Sequence, residues 1–241
     1  MPRKRKKFKT ITRKKLQQLK PFLDDLVSKI EQPDYINDDP VQFMHAFEDK
    51  ADQELAGFFA ATMAWGRRDI VNAKVEDLLQ RMDNKPAEFI KNYSESDFSV
   101  FDGFKHRTFK PIDMHWLTII LQTILLKFGD FEHFWKHCYD SAKHQNRELI
   151  AVFHDQFFSF HPEMPLRTRK HVSNTEKNSS AKRLYMYLRW CIRKDSPVDP
   201  GTMSFMDPSE LKIPLDVHVA RQARKLGLLS RKQNDWKSVL E

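Results

Sequence analysis

Glycine is scarce in this chain, with only 6 among 241 residues. So few glycines leave little material for the turns of a β-sandwich or barrel and favour helices joined by short loops. Cysteine is scarcer still, with Cys138 and Cys191 alone. They form no metal-type cluster, and with no secretory signal reduced thiols in a cytoplasm are expected. Two thiols also cannot supply the four ligands of a cubane iron–sulfur cluster. Long apolar runs are missing too: residues 116–126 are interrupted by Thr118, Gln122 and Thr123. That run falls short of the roughly 20 residues a membrane span needs. The opening MPRKRKKFKT carries positive charge with no apolar segment behind it, so it is not a secretion signal. A Gly-rich phosphate loop and a serine-nucleophile elbow are both absent. His133 and His137 stand four apart, but Glu132 precedes them and no third ligand is apparent. A soluble chain with no metal, no cofactor and no membrane partner is the expectation.

What is present points to a folded, helical body. Hydrophobic residues make up 40% and aromatics 12%, too much apolar surface for a disordered chain. Residues 15–30 place Leu16, Leu19, Leu23, Leu26, Val27 and Ile30 at spacings of three and four, the pattern of a one-sided helix. Pro21 reads there either as a kink or as the start of a new helix. Further helices are expected at 52–65, from 67 to about 82, 113–128, 131–139, 148–158, 181–193, 217–226 and from 235 onward. A short one should follow the turn at 83–86. Residues 167–180 lack apolar periodicity and read as a polar loop. The expected fold is all-α, with a basic flexible arm at 1–14 and a helical domain at 15–241, built as two lobes with a cleft. The last helix reaches the end of the sequence in mid-pattern, so a natural fold continuing beyond Glu241 is expected.

Charge is unevenly spread along the chain. Residues 1–20 hold ten Lys/Arg and no acid, for +10. Residues 21–166 carry 15 basic and 25 acidic side chains, for −10, and residues 167–241 carry 16 and 8, for +8. Two cationic segments flanking an acidic middle are the footprint of a polyanion binder with one working face. Such binding weakens steeply as salt rises, because each neutralised phosphate releases counterions. The arm has a plainer role open to it, as a solubilising tail.

The chemistry-bearing residues cluster in the basic final third. In IPLDVHVARQARKLGL, Asp216 precedes a helix whose apolar residues are Val219, Ala223 and Leu226, and Gly227 ends it. Asp216 is the natural N-cap, and capping together with the helix dipole favours its carboxylate. Lys182 follows Ser179 and Ser180, which are placed to cap the helix it stands on and so set the lysine at the positive end of its dipole. The two residues lie 34 positions apart.

Here the sequence resembles the helix-hairpin-helix DNA glycosylase superfamily, whose signature after the hairpin is apolar-Pro-apolar-Asp-x-His-apolar-x-Arg; Asp216, His218 and Arg221 match it. More closely, the chain is similar to a bacterial family of unassigned function within that superfamily. AGFFAATMAWGRR, HRTF, KRLYMYLRW and IPLDVHVARQARKLGLLSRK carry this closer likeness over most of residues 20–241. The resemblance implies that Asp216 stabilises positive charge on a deoxyribose as the base leaves, or orients a nucleophile. It implies that Lys182 attacks the anomeric carbon in a bifunctional enzyme, a task suited to a lysine whose pKa is depressed. The long Lys–Asp spacing is similar to that of the archaeal 8-oxoguanine glycosylase branch. The Leu-Pro-Gly-x-Gly hairpin of the common members is absent, as are the iron–sulfur cysteines of the endonuclease III branch.

The resulting expectation is a DNA N-glycosylase with AP lyase activity on damaged, oxidised purines in duplex DNA, monomeric, cytoplasmic and nucleoid-associated. Arg167, Arg169, Lys170, Lys177, Arg183 and Arg221 are its candidate phosphate contacts. Trp65 and Trp190 are its candidate stacking partners for an extruded base. Each residue has a plainer alternative: Asp216 as a mere cap, Lys182 and the arginines as a wet helix face, the tryptophans as core. His218 reads as a structural hydrogen bonder beside Asp216. A non-catalytic nucleic-acid-binding module with the same fold is the alternative for the whole chain.

Overall fold

A computed structural model describes residues 11–241; the first ten residues of the expected arm lie outside the described residues. The described chain forms α1 (Arg13–Ile30), α2 (Gln42–His45), α3 (Lys50–Met63), α4 (Arg68–Arg81), α5 (Pro86–Asn92), α6 (Pro111–Phe128) and α7 (Phe131–Gln145). It continues through α8 (Leu149–Ser159), α9 (Leu166–Arg169), α10 (Lys182–Ile192), α11 (Val217–Leu226) and α12 (Trp236–Leu240), with four short 3-10 segments between. Among the described residues there is no strand, only an isolated bridge between His106 and Phe109. The fold class is all-α. No described helix is long and apolar enough to cross a membrane.

The organising element is α3. Its sequence is apolar on every side, and from Glu54 to Met63 every residue is buried. A helix without a polar face has to be covered all round, and α10, α2, α4, α5 and α7 supply the cover. At its centre the Phe58 ring meets Phe131 edge-on at 5.2 Å and Tyr187 edge-on at 5.8 Å, with Phe157 also at 5.8 Å. Trp135 stacks flat on Phe153 beside this group, at 3.8 Å. One continuous core runs from Val41 to Trp236, and a small satellite of Leu215, Ala220 and Leu229 sits under α11.

Several boundaries move for identifiable reasons. Asp49 caps Ala51 and Asp52, so α3 begins two residues ahead of the acids expected to open it. Asp52 is thereby free to accept the Ala87 amide at 2.8 Å and start α5. The expected helix 131–139 runs on to Gln145 before Asn146 turns left-handed and stops it. Thr12 caps α1, so Arg13 and Lys14 belong to that helix, which passes through Pro21 without a break and buries none of its residues. The segment expected as a polar loop contains α9 and a 3-10 turn at Thr175–Lys177.

One core residue is chemically out of place. Glu54 is fully buried on α3, and neither carboxylate oxygen has a hydrogen-bond partner. The Lys50 ammonium lies 3.6 Å away but gives its short contact to Glu132, so one cation serves two acids. Burial outweighs that attraction and pushes the Glu54 carboxyl up to about 8. Since its ordinary value is 4.5, the folded chain holds one more proton than the unfolded chain between those two pH values. Stability therefore falls as pH rises through this window and levels off above it. Glu54→Gln is expected to remove that slope and to stabilise the protein at pH 9 by on the order of 4 kcal/mol, read from urea denaturation at pH 5 and pH 9. An unchanged slope in the variant would assign it to other groups.

Candidate active-site cleft

The 33 residues between Lys182 and Asp216 are brought back on themselves by α10 and the segment that follows it. Asp199, buried on this segment, accepts from Arg189 at 2.9 Å and from Arg193 at 2.8 Å, both on the last turns of α10 or just after them. Gly201 and Met203 then donate to the Trp190 and Cys191 carbonyls at 2.9 and 2.7 Å, finishing the helix C-terminus. The chain then crosses α7, where Glu210 accepts from Tyr139 at 2.6 Å, and Ser180 donates to the Leu215 carbonyl at 3.2 Å. This last bond sets Asp216 beside the start of α10. Lys182 Nζ lies 3.4 Å from Asp216 Oδ2.

Asp216 divides its two oxygens. Oδ1 accepts the Val219 amide at 2.8 Å and caps α11, as the sequence predicts, while Oδ2 faces the ammonium. Partial burial works to raise the carboxyl, but the Val219 N–H and the Lys182 charge outweigh it and hold it below its ordinary range. The pair is neither sealed nor fully wet, with the Lys182 side chain 34% and the Asp216 side chain 29% exposed.

Lys182 lines an open cleft of about 600 Å³, together with Trp65, Thr108, Lys170, His171 and Ser180. Asp216 meets this space through the lysine. The rim on the α3 side is held by Arg107, which donates to the Trp65 carbonyl at 3.0 Å. Gly66 turns there at φ +123°, with Arg107 packed where a side chain would go, so only glycine fits. Trp65 itself is 50% exposed, its ring at the cleft edge.

Behind the cleft lies a buried polar cluster. Asp113, fully buried at the start of α6, accepts from Thr168 at 2.8 Å and from the Lys110 amide at 2.9 Å. Arg167 approaches the same carboxylate at 3.0 Å and His171 at 3.4 Å. Burial alone would raise the Asp113 carboxyl; His171 and Thr168, with the Lys110 amide, overcome it and leave it below its usual range. Phe109 stacks on the His171 ring at 3.7 Å.

Several expected residues lie elsewhere. Trp190 is 1% exposed in the core, which removes it from base stacking. Arg183 turns inward: it donates to the Thr62 and His171 carbonyls, and burial lowers its pKa. It ties the end of α3 to the cleft floor instead of offering itself to phosphate. Arg167 is committed to Asp113 and to the Thr108 carbonyl, and Arg169 lies over the Phe158 ring at 5.7 Å. Lys170, Lys177 and Arg221 are exposed. Ser179 and Ser180 do not cap α10. Ala181 occupies that position in a left-handed conformation with no side-chain cap, while Ser179 accepts the Ala181 amide. His218 is exposed, and among the described residues its ring makes no hydrogen bond. Cys138 and Cys191 are free, buried thiols, their pKa raised by burial. Asp113 and His171 went unrecognised because an acid at a helix start reads as a cap and one histidine in a polar stretch carries no pattern.

Fold and site define an all-helical protein with an open, cation-bearing cleft at whose edge a lysine and a capping aspartate meet. The chain belongs to the family described as "Protein of unknown function (DUF2400)", which it matches over residues 39–241. The match excludes α1 and begins later than the resemblance in the sequence implied. No curated protein and no solved structure matches the chain.

The Asp199 clamp is the joint on which the site's closure rests. Replacing this buried acid removes a charged partner from two arginines that stay about a third exposed, one of which keeps Glu31, at a cost of about 1.5–3 kcal/mol. Asp199→Ala is expected to lose that much in urea denaturation at pH 7; a loss below about 1 kcal/mol would show the clamp dispensable.

Proposed function

We propose that this protein is a bifunctional DNA glycosylase of the helix-hairpin-helix type, acting on damaged, oxidised purines in duplex DNA. The observation that carries the reading is the Lys182–Asp216 pair, 3.4 Å apart and partly exposed, at an open cleft roomy enough for a nucleobase. Enzymes that act on a base must draw it out of the stack into such a pocket. Residues 170–181 take the place of the glycine hairpin, with left-handed turns at Asn178 and Ala181.

In this reading the extruded base enters beside the exposed Trp65. Once the Lys182 ammonium has given a proton to water, its amine attacks the anomeric carbon, and the carbon–nitrogen bond to the base breaks with its electron pair leaving on the base. Asp216, charged throughout the neutral range, stabilises the positive sugar and accepts a proton from the lysine nitrogen. The lysine nitrogen's electron pair then opens the sugar ring, the ring oxygen leaving as a hydroxyl with the proton Asp216 had taken, and the resulting Schiff base acidifies the adjacent sugar carbon, whose proton is lost as the 3′ phosphate departs. Lys170, Lys177 and Arg221 are the exposed cations placed to hold the backbone.

Borohydride reduction of a reaction with duplexes carrying an oxidised purine or an abasic site is expected to trap a covalent adduct. Lys182→Ala should abolish it, and Asp216→Asn should slow its formation by about 100-fold or more. An adduct undiminished by Lys182→Ala removes that lysine from the chemistry. Tight, salt-sensitive binding with no cleavage of any lesion would leave a nucleic-acid-binding module instead.

Binding itself gives a separate measurement. Alanine at Lys170, Lys177 or Arg221 is expected to lower the slope of log K against log salt by about one each. Slopes equal to wild type would place the DNA on another face.

A further inference from the structure

The cleft floor carries a second chemical group that the lysine and aspartate do not use. His171 lines the cleft although it is only 4% exposed. Its Nε2 faces Asp113 Oδ2 at 3.4 Å, close enough to be paired electrostatically but too poorly aligned for a hydrogen bond. Asp113 is itself fixed by Thr168, the Lys110 amide and Arg167. Phe109 covers one face of the imidazole, and the His171 carbonyl accepts from Arg183 at 3.4 Å. The ring is therefore held by both its neighbours and its backbone. Nδ1 has no partner among the described residues, and it is not among the sealed buried atoms, so it is the edge that meets the cleft.

A carboxylate behind one imidazole nitrogen fixes the proton there and leaves the other nitrogen to exchange protons with whatever occupies the cleft. A departing purine needs such a donor, because breaking its bond to the sugar leaves an electron pair on the base. Building on the glycosylase reading above, we infer that His171, backed by Asp113, is the general acid that protonates the leaving base. The proton moves from His171 Nδ1 to a nitrogen of the base as the carbon–nitrogen bond breaks. The neutral imidazole keeps its Nε2 proton toward Asp113 and recovers the other from water at the cleft mouth. The charged groups around the ring are Asp113, Arg167, Lys170, Arg183 and Lys182, with His106 on the far side of Phe109 at 6.3 Å from that ring.

The two chemical steps separate this role from the lysine's. On a pre-formed abasic duplex there is no base to protonate, so the ratio of base release to abasic-site trapping isolates the acid. His171→Gln is expected to lower that ratio by about 100-fold. Asp113→Asn should lower it in the same sense. An unchanged ratio overturns the assignment, and equal loss of both steps makes the histidine structural. If wild type traps abasic duplexes yet releases no base, the acid is refuted while the lysine chemistry stands. If wild type traps neither substrate, the glycosylase reading itself falls. Should the variant not fold, the imidazole nitrogen resonances of wild type serve in its place. An abasic duplex together with free 8-oxoguanine should shift Nδ1, and a resonance that stays put refutes contact with the base.

Discussion

The site depends on one constraint: the long segment between α10 and α11 has to return to the helix it left. Asp199 makes this binding by sitting buried between Arg189 and Arg193, where a free carboxylate would be costly and two guanidinium groups neutralise it. With that end fixed, the Gly201 and Met203 amides finish α10, and Ser180 catches the Leu215 carbonyl at the other end. Only then does Asp216 stand next to Lys182. A glycine hairpin would shape the backbone locally through its freedom at positive φ. Here ion pairs and a serine shape the backbone over a longer distance.

The cleft inherits its rigidity from α3. A helix buried on all sides leaves its C-terminal carbonyls in need of donors, and the chain answers with side-chain N–H groups. Arg183 takes the Thr62 carbonyl, His106 meets Met63 at 2.9 Å, and Arg107 takes Trp65. These contacts spend positive side chains on backbone rather than on a polyanion. The basic character of the final third is thus partly structural. Counting its charges overstates how many are free, which is why Arg167, Arg169 and Arg183 belong to the architecture while Lys170, Lys177 and Arg221 face solvent.

A second tension lies in the core. Glu54 sits in a helix chosen for burial, shares the Lys50 cation with Glu132, and is forced toward its neutral form. Tyr187 donates to the Glu54 carbonyl at 3.1 Å, so the backbone there is satisfied even though the side chain is not. Asp113 shows the contrast. It is equally buried but surrounded by donors, so it keeps its charge and sets that charge beside His171.

By itself the sequence determined what local forces decide. Apolar spacing located the long helices, and the bounds of α11 with its Asp216 cap and Gly227 stop were readable directly, because capping is settled within four residues. Exposure at Trp65 against burial at Trp190, the inward turn of Arg183, and the left-handed Ala181 in place of a serine cap were not readable. Each depends on what distant segments place beside the residue. The same holds for the Lys182–Asp216 approach and for the Asp113–His171 pair, which join residues far apart in the chain. Proximity of that kind is set by packing around α3 and by the clamp at Asp199, and no periodicity in the sequence encodes it.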